Sequence, residues 1–184
     1  MTAQTHSPAL QGSEMCEGKK GNTNMATPTN LPASFVAGAI LTASQQNDLR
    51  GAFRVLQVIM GSSTTQTART AATYATSNLS ATITPQSSTS KILVVTAQAI
   101  MSSAGSAEVG MKLVRGSTDV WTSNNANYFA SDTGTMTNIF YLDSPATTSS
   151  TTYTVHYQRT SGTGTVYAQL AGAQSNMILM EISA

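Results

Sequence analysis

Charge is what this sequence has least of. Only 9% of its 184 residues are Asp, Glu, Lys or Arg, against roughly 25% in an ordinary soluble domain. Nine cations and eight acids leave a net charge of +1. A nucleic-acid interface displaces counterions with clustered Lys and Arg. Nine scattered cations are poor material for one. Cysteine is nearly missing too. The single Cys16 cannot close an internal disulfide, and without several partners it cannot build a structural zinc site. No apolar run approaches the roughly 20 residues of a membrane span; the longest uncharged apolar patch near the start is Phe35 to Leu41. The opening residues lack the basic-then-apolar pattern of a secretory signal. The chain is also 40% hydrophobic, which separates it from disordered sequences of high net charge and few apolar residues.

Hydroxyls stand where charge is missing. Thr occurs 29 times and Ser 23 times. Free soluble domains usually keep their net charge away from zero to avoid self-association. A near-neutral, hydroxyl-rich chain therefore suits a component whose natural state is associated. Its length suits one domain with one core.

The chain divides into three zones. Residues 1–30 have no apolar periodicity and carry Pro8, Gly12, Gly18, Gly21 and Pro28. They read as a flexible or extended arm. Met25 offers a second plausible start beside Met1. Residues 31–51 read as a linker or anchor. Thr42-Ala43-Ser44-Gln45 matches a capping box, which predicts a short helix from Ala43 to about Arg50, stopped by Gly51. So short a helix needs a partner surface. From residue 52 to 184 the apolar period becomes two. Leu79, Ala81 and Ile83 alternate with polar residues, as do Val109, Met111 and Leu113, and Tyr153, Val155 and Tyr157. Ile92 to Met101 is a long apolar run that suits burial on both faces. Thr84-Pro85-Gln86-Ser87, Arg115-Gly116-Ser117 and Ser161-Gly162-Thr163-Gly164 carry turn chemistry. Eight or nine short strands with such connectors predict an all-β fold. The expected form is an antiparallel, jelly-roll-like β-sandwich preceded by the arm and the short helix.

At this point the sequence resembles a known group. Phe35-Val36-Ala37-Gly38-Ala39-Ile40-Leu41-Thr42-Ala43-Ser44-Gln45-Gln46-Asn47 is similar to an N-terminal segment common in small virion proteins of tailed bacteriophages. Leu79-Ser80-Ala81-Thr82-Ile83-Thr84-Pro85, Ser90-Lys91-Ile92-Leu93-Val94 and Lys112-Leu113-Val114-Arg115-Gly116-Ser117-Thr118 resemble the body of the same group. So do Tyr141-Leu142-Asp143-Ser144-Pro145 and Met180-Glu181-Ile182. The resemblance spans about residues 35 to 183. It implies a β-sandwich appendage of a phage particle, often trimeric, of the tail-fibre or head-decoration kind.

Chemistry-bearing residues are few. His156 lies mid-strand, and no nucleophile-elbow pattern accompanies it. Ser88-Thr89-Ser90-Lys91 fits a Ser-x-x-Lys string, yet it precedes a strand rather than opening a helix. A glycan-cleaving spike needs two carboxyls across the sugar bond. The sandwich offers Glu108, Asp119, Asp132, Asp143 and Glu181, of which Asp132 and Asp143 read as turn acids. No metal-ligand spacing and no cofactor motif is present. The expectation is a protein that is not an enzyme, with no catalytic, metal or cofactor residues.

The segment from Trp121 to Thr135 reads as a loop. It gathers Trp121, Tyr128 and Phe129 among Asn124, Asn125, Asn127 and Asp132. Aromatic faces beside hydrogen-bonding groups suit a glycan or a protein interface, and they equally suit a plug for the end of the sandwich. Phe35, Val36, Ile40, Leu41 and Leu49 are the candidate particle-anchor residues. Edge strands normally carry Lys, Pro or a bulge, and only six basic residues follow Ala52. Copies of the same chain would cover such edges and faces, and a closed ring of three would do so completely. The expected partners are therefore the chain itself as a homotrimer, other capsid or tail proteins, and in the alternative a host surface glycan. Nucleic acid and membrane insertion are not expected. The expected location is the surface of the phage particle, on head or tail.

Overall fold

The computed structural model describes residues 54–103 and 105–183. The predicted arm, the capping-box helix and the anchor residues Phe35, Val36, Ile40, Leu41 and Leu49 lie outside them. Ten strands follow in order: β1 (Val55–Ser63), β2 (Thr67–Arg69), β3 (Ala75–Ile83), β4 (Lys91–Ser103), β5 (Ala107–Arg115), β6 (Thr118–Phe129), β7 (Thr133–Asp143), β8 (Thr151–Gly162), β9 (Thr165–Ala168) and β10 (Ser175–Ile182). A 3-10 turn, Leu170–Gly172, separates the last two.

All the strand pairs are antiparallel, in two sheets. One sheet runs β3-β8-β5-β6. The other is organised by the 13 residues of β4. Residues 91–97 of β4 pair with β10, residues 100–103 pair with β9, and residues 92–102 pair with β7. A strand has two edges, so β10 and β9 lie end to end along one and β7 takes the other. The long strands of this sheet thus run β1-β10-β4-β7. With the short β2 and β9 set aside, eight long strands pair first with last, second with seventh, third with sixth and fourth with fifth. That is an antiparallel ribbon rolled onto itself, the eight-stranded jelly roll.

The core lies between the sheets. Leu79, Ile83, Met111, Leu113, Val155 and Tyr157 from one sheet meet Ile92, Val94, Ile139, Met177 and Leu179 from the other. Gly61 lets β1 close on β3: a Cβ there would sit 2.1 Å from the carbonyl oxygen of Ser80. A polar network crosses this interior. The single Ser77 hydroxyl proton lies within reach of both Gln98 Oε1 (2.7 Å) and the Val155 carbonyl, while Gln98 Nε2 donates to the Ala99 carbonyl and to Ser175 Oγ (3.0 Å). Ser77 is in reach because β3 shifts register between Thr76 and Ser80, with Asn78 at φ 63. Asn tolerates that left-handed conformation better than most residues.

The segment expected as a loop over Trp121 to Thr135 is instead two strands joined by a tight turn that crosses from one sheet to the other. Trp121 to Phe129 belongs to β6, and only Ala130 to Asp132 turn before β7. The polar Asn cluster looked like loop composition. A strand at the edge of its sheet accommodates it, because there polar side chains and backbone reach water. Asp143 is also not a turn acid bonding its own backbone. It is buried and held by Arg115 and Tyr153.

Candidate functional site

Strand β6 places the sequence-predicted contact residues on two faces. Trp121 pairs with Leu113 and Phe129 with Ala107, both core positions, so the two aromatics turn inward. Phe129 is buried in the core, and Trp121 is half-buried against it. Asn127 pairs with buried Val109 and donates through Nδ2 to Thr137 Oγ1 on the opposite sheet. Between Val109 and Met111 the ladder skips from Asn127 to Ser123. Asn124, Asn125 and Ala126 therefore bulge out of register opposite Gly110. Tyr74 fixes the bulge, its hydroxyl 3.0 Å from Asn124 Oδ1. Tyr128, paired with Glu108, points outward and is 68% exposed. Of the six residues, Tyr128, Asn124 and Asn125 face solvent, while Trp121 and Phe129 close the sandwich.

The carboxylates hold structure. Glu181, Ile92 and Asp143 form one cross-strand row on the inner face of the β10-β4-β7 sheet. Two strand spacings put the acids about 10 Å apart, with buried Ile92 between them. Asp143 Oδ2 accepts from Arg115 Nη1 at 2.7 Å and from the Tyr153 hydroxyl at 2.6 Å. Burial, then this hydrogen bond, pushes the Tyr153 phenol far above its ordinary range, so it stays a neutral donor. Glu181 is fully buried. Its Oε1 accepts from the Gln86 N–H (2.7 Å) and the Ser87 N–H (3.4 Å), and its Oε2 accepts from Gln57 Nε2 (2.5 Å). Burial alone raises its pKa, but these hydrogen bonds outweigh it and hold the group below the ordinary carboxylate value. Asp119 pairs with Lys112 Nζ at 2.9 Å. Both buried acids are engaged by groups of the fold itself.

The remaining candidates disperse likewise. His156 lies in register with Thr76 and Lys112. Burial, then the neighbouring Lys112 cation, lowers its pKa, so it is neutral at pH 7. Lys91 Nζ donates to Ser144 Oγ at 2.7 Å. Among the described residues no group of three His, Cys, Asp or Glu side chains could hold a metal, and no helix is long and apolar enough to cross a membrane.

What the structure does present is an asymmetry between its two outer faces. On the β3-β8-β5-β6 sheet, Thr82 pairs with Thr152, Ser80 with Thr154, and His156 with Lys112. That face is polar and hydroxyl-rich. On the other sheet two cross-strand rows are apolar from edge to edge. One is Val58–Met180–Leu93–Leu142 and the next is Met60–Ile178–Val95–Phe140. Val58, Met60, Phe140 and Leu142 are all more than half exposed, with Phe140 at 69%. Further along β4, Ala99 and Met136 share a row, and Leu170 and Ala171 of the 3-10 turn wall off an apolar groove of about 390 Å³. Alternation with Thr137 and Tyr141 would put Met136, Phe140 and Leu142 on the buried side of β7. The structure reverses the faces: Ile139 and Tyr141 turn inward while Phe140 and Leu142 turn outward. The available signal was the consecutive apolar residues themselves.

No protein-family model matches the chain, and no curated protein matches it. Among solved structures, two similar chains come from infectious bursal disease virus, one from its Gx strain and one from the crystal structure of an IBDV viral particle. Each is 12% identical with a TM-score of 0.39 over 71% of this chain. The chain spans about two fifths of those chains, 39% and 38%.

Proposed function

We propose that this protein is a non-enzymatic structural component of a bacteriophage virion, a homotrimeric fibre or decoration module. In this reading residues 31–51 attach it to capsid or tail proteins and the jelly roll faces outward. The observation that carries the reading is the uncharged apolar face spanning β1, β10, β4 and β7. A freely diffusing monomer keeps contiguous apolar patches small, and larger ones mark association surfaces. The resemblance of residues 35–183 to small phage virion proteins supports the same reading. Jelly rolls build both viral capsids and lectins, so the fold narrows the choice without making it.

The test is direct. Antibody against the chain should label purified particles in electron micrographs, and a variant lacking residues 1–51 should fold and associate but fail to attach. Unlabelled particles, or attachment without residues 1–51, would contradict the proposal. A second reading, an adhesin for a host surface glycan, keeps one favouring observation: Tyr128 projects from the strand that carries the exposed Asn124 and Asn125.

A further inference from the structure

We infer that the outer face of β1-β10-β4-β7 is the surface through which copies of this chain hold one another. The inference rests on the homotrimer reading and names the surface that reading leaves open.

Three observations select a second copy as the occupant. The first is size. Four strands make the face about 19 Å wide, and the six steps from Lys91 to Ala97, over which β10 flanks β4, make it about 20 Å long, or roughly 400 Å² in projection before the groove beside Met136 is added. A stable interface takes about 800 Å² of accessible surface from each partner, and protruding side chains such as Phe140 and Met60 raise the accessible area above the projection. The second is shape. The apolar run Phe35 to Leu41 lies outside the described residues. As an extended strand it would cover a strip about 5 Å wide, a quarter of the face. In a closed ring of three the faces turn to one common axis, and the two neighbouring copies together cover it. The third is chemistry. The two central rows hold no charged and no polar side chain, so burying them against another copy leaves no unpaired polar group there, while the neighbouring row Ser62–Asn176–Ala97–Asn138 supplies a polar rim.

The bordering edge strand agrees. β7 carries 11 residues without Lys, Arg or Pro and pairs with β4 in unbroken register. The edge strands β3 and β6 of the other sheet are both interrupted by register shifts. Such irregularities blunt an edge against strangers. β7 has none, and it borders the apolar face.

The test uses the full chain, with Phe140→Glu on β7 and Met60→Lys on β1 as separate variants and Tyr128→Glu on the polar side as a control. Circular dichroism checks folding, and sedimentation equilibrium at micromolar concentration reads the mass. Wild type and Tyr128→Glu should sediment at three times the chain's 19.2 kDa, and both face variants at the single-chain mass with native spectra. Two strands are probed so that either folded variant suffices. Face variants that remain trimeric overturn this assignment and leave the homotrimer reading standing. Dissociation by Tyr128→Glu as well also overturns it. A monomeric wild type overturns both. If Met60 in such a monomer resists oxidation, the chain's own N-terminal residues cover the face.

Discussion

Glu181→Gln probes how the bottom of the sandwich is tied together. The carboxylate joins three elements: β10, which carries it, β1 through Gln57, and the β3–β4 turn through the Gln86 and Ser87 N–H groups. Gln supplies one acceptor oxygen instead of two. If that oxygen keeps the turn amides, the new NH₂ confronts Gln57 Nε2. Flipping the Gln57 amide removes the conflict but gives up its 2.7 Å bond to the Thr84 carbonyl. A charge-assisted hydrogen bond contributes about 1.5–3 kcal/mol and a neutral one about 1, so the substitution should cost about 2 kcal/mol at pH 7. The pH dependence follows from the lowered pKa of Glu181. Its contribution is fully present above the unfolded-state value of about 4.5 and is lost as pH falls through the lower folded-state value. Urea unfolding at fixed protein concentration, stepped downward from pH 7, should show the gap between wild type and variant narrowing only below pH 4.5. A gap under about 0.5 kcal/mol at pH 7, or one that does not narrow in acid, would refute the reasoning.

Other substitutions separate the remaining arguments. Gly61→Ala should cost about 3 kcal/mol in urea unfolding because its Cβ meets backbone rather than a movable side chain. Gly116→Ala, at φ +57 with open space around it, should cost only about 1 kcal/mol; equal losses would contradict the close approach of β1 to β3. Arg115→Met leaves Asp143 buried without its cation and should cost about 3–5 kcal/mol, read as a fall in the urea midpoint. A change within about 0.5 kcal/mol would mean the pair contributes little. Tyr128→Ala should leave adsorption of particles to host cells unchanged; a large loss of adsorption would favour the glycan-binding reading.

The alternating strands were legible because one of their faces is buried and the other is wet. Leu79-Ser80-Ala81-Thr82-Ile83 and Tyr153-Thr154-Val155 carry that contrast residue by residue, and they are β3 and β8. The turns at Pro85, Gly116 and Gly162 were legible because their residues fit the backbone there; Gly116 and Gly162 have positive φ. β6 was hidden by its composition. Asn124, Asn125 and Asn127 look like loop residues, and the bulge that accommodates the first two depends on Tyr74, 50 positions away from Asn124. The apolar outer face was hidden for a related reason. Ile139 to Leu142 and Ile178 to Met180 are apolar on both sides, so a period of two cannot say which side is the core. The face emerges only when Val58, Met180, Leu93 and Leu142 are seen side by side in register.

Whether that face is covered in the native protein is decided most directly by methionine oxidation. Met111 and Met177 are fully buried inside the subunit, whereas Met60 is 66% and Met136 is 47% exposed on its apolar side. Under limiting peroxide, with peptide mass spectrometry as the readout, all four should oxidise equally slowly in the full-length native protein. Rapid sulfoxide formation at Met60 and Met136, with Met111 and Met177 spared, would show the face open to water and contradict the account.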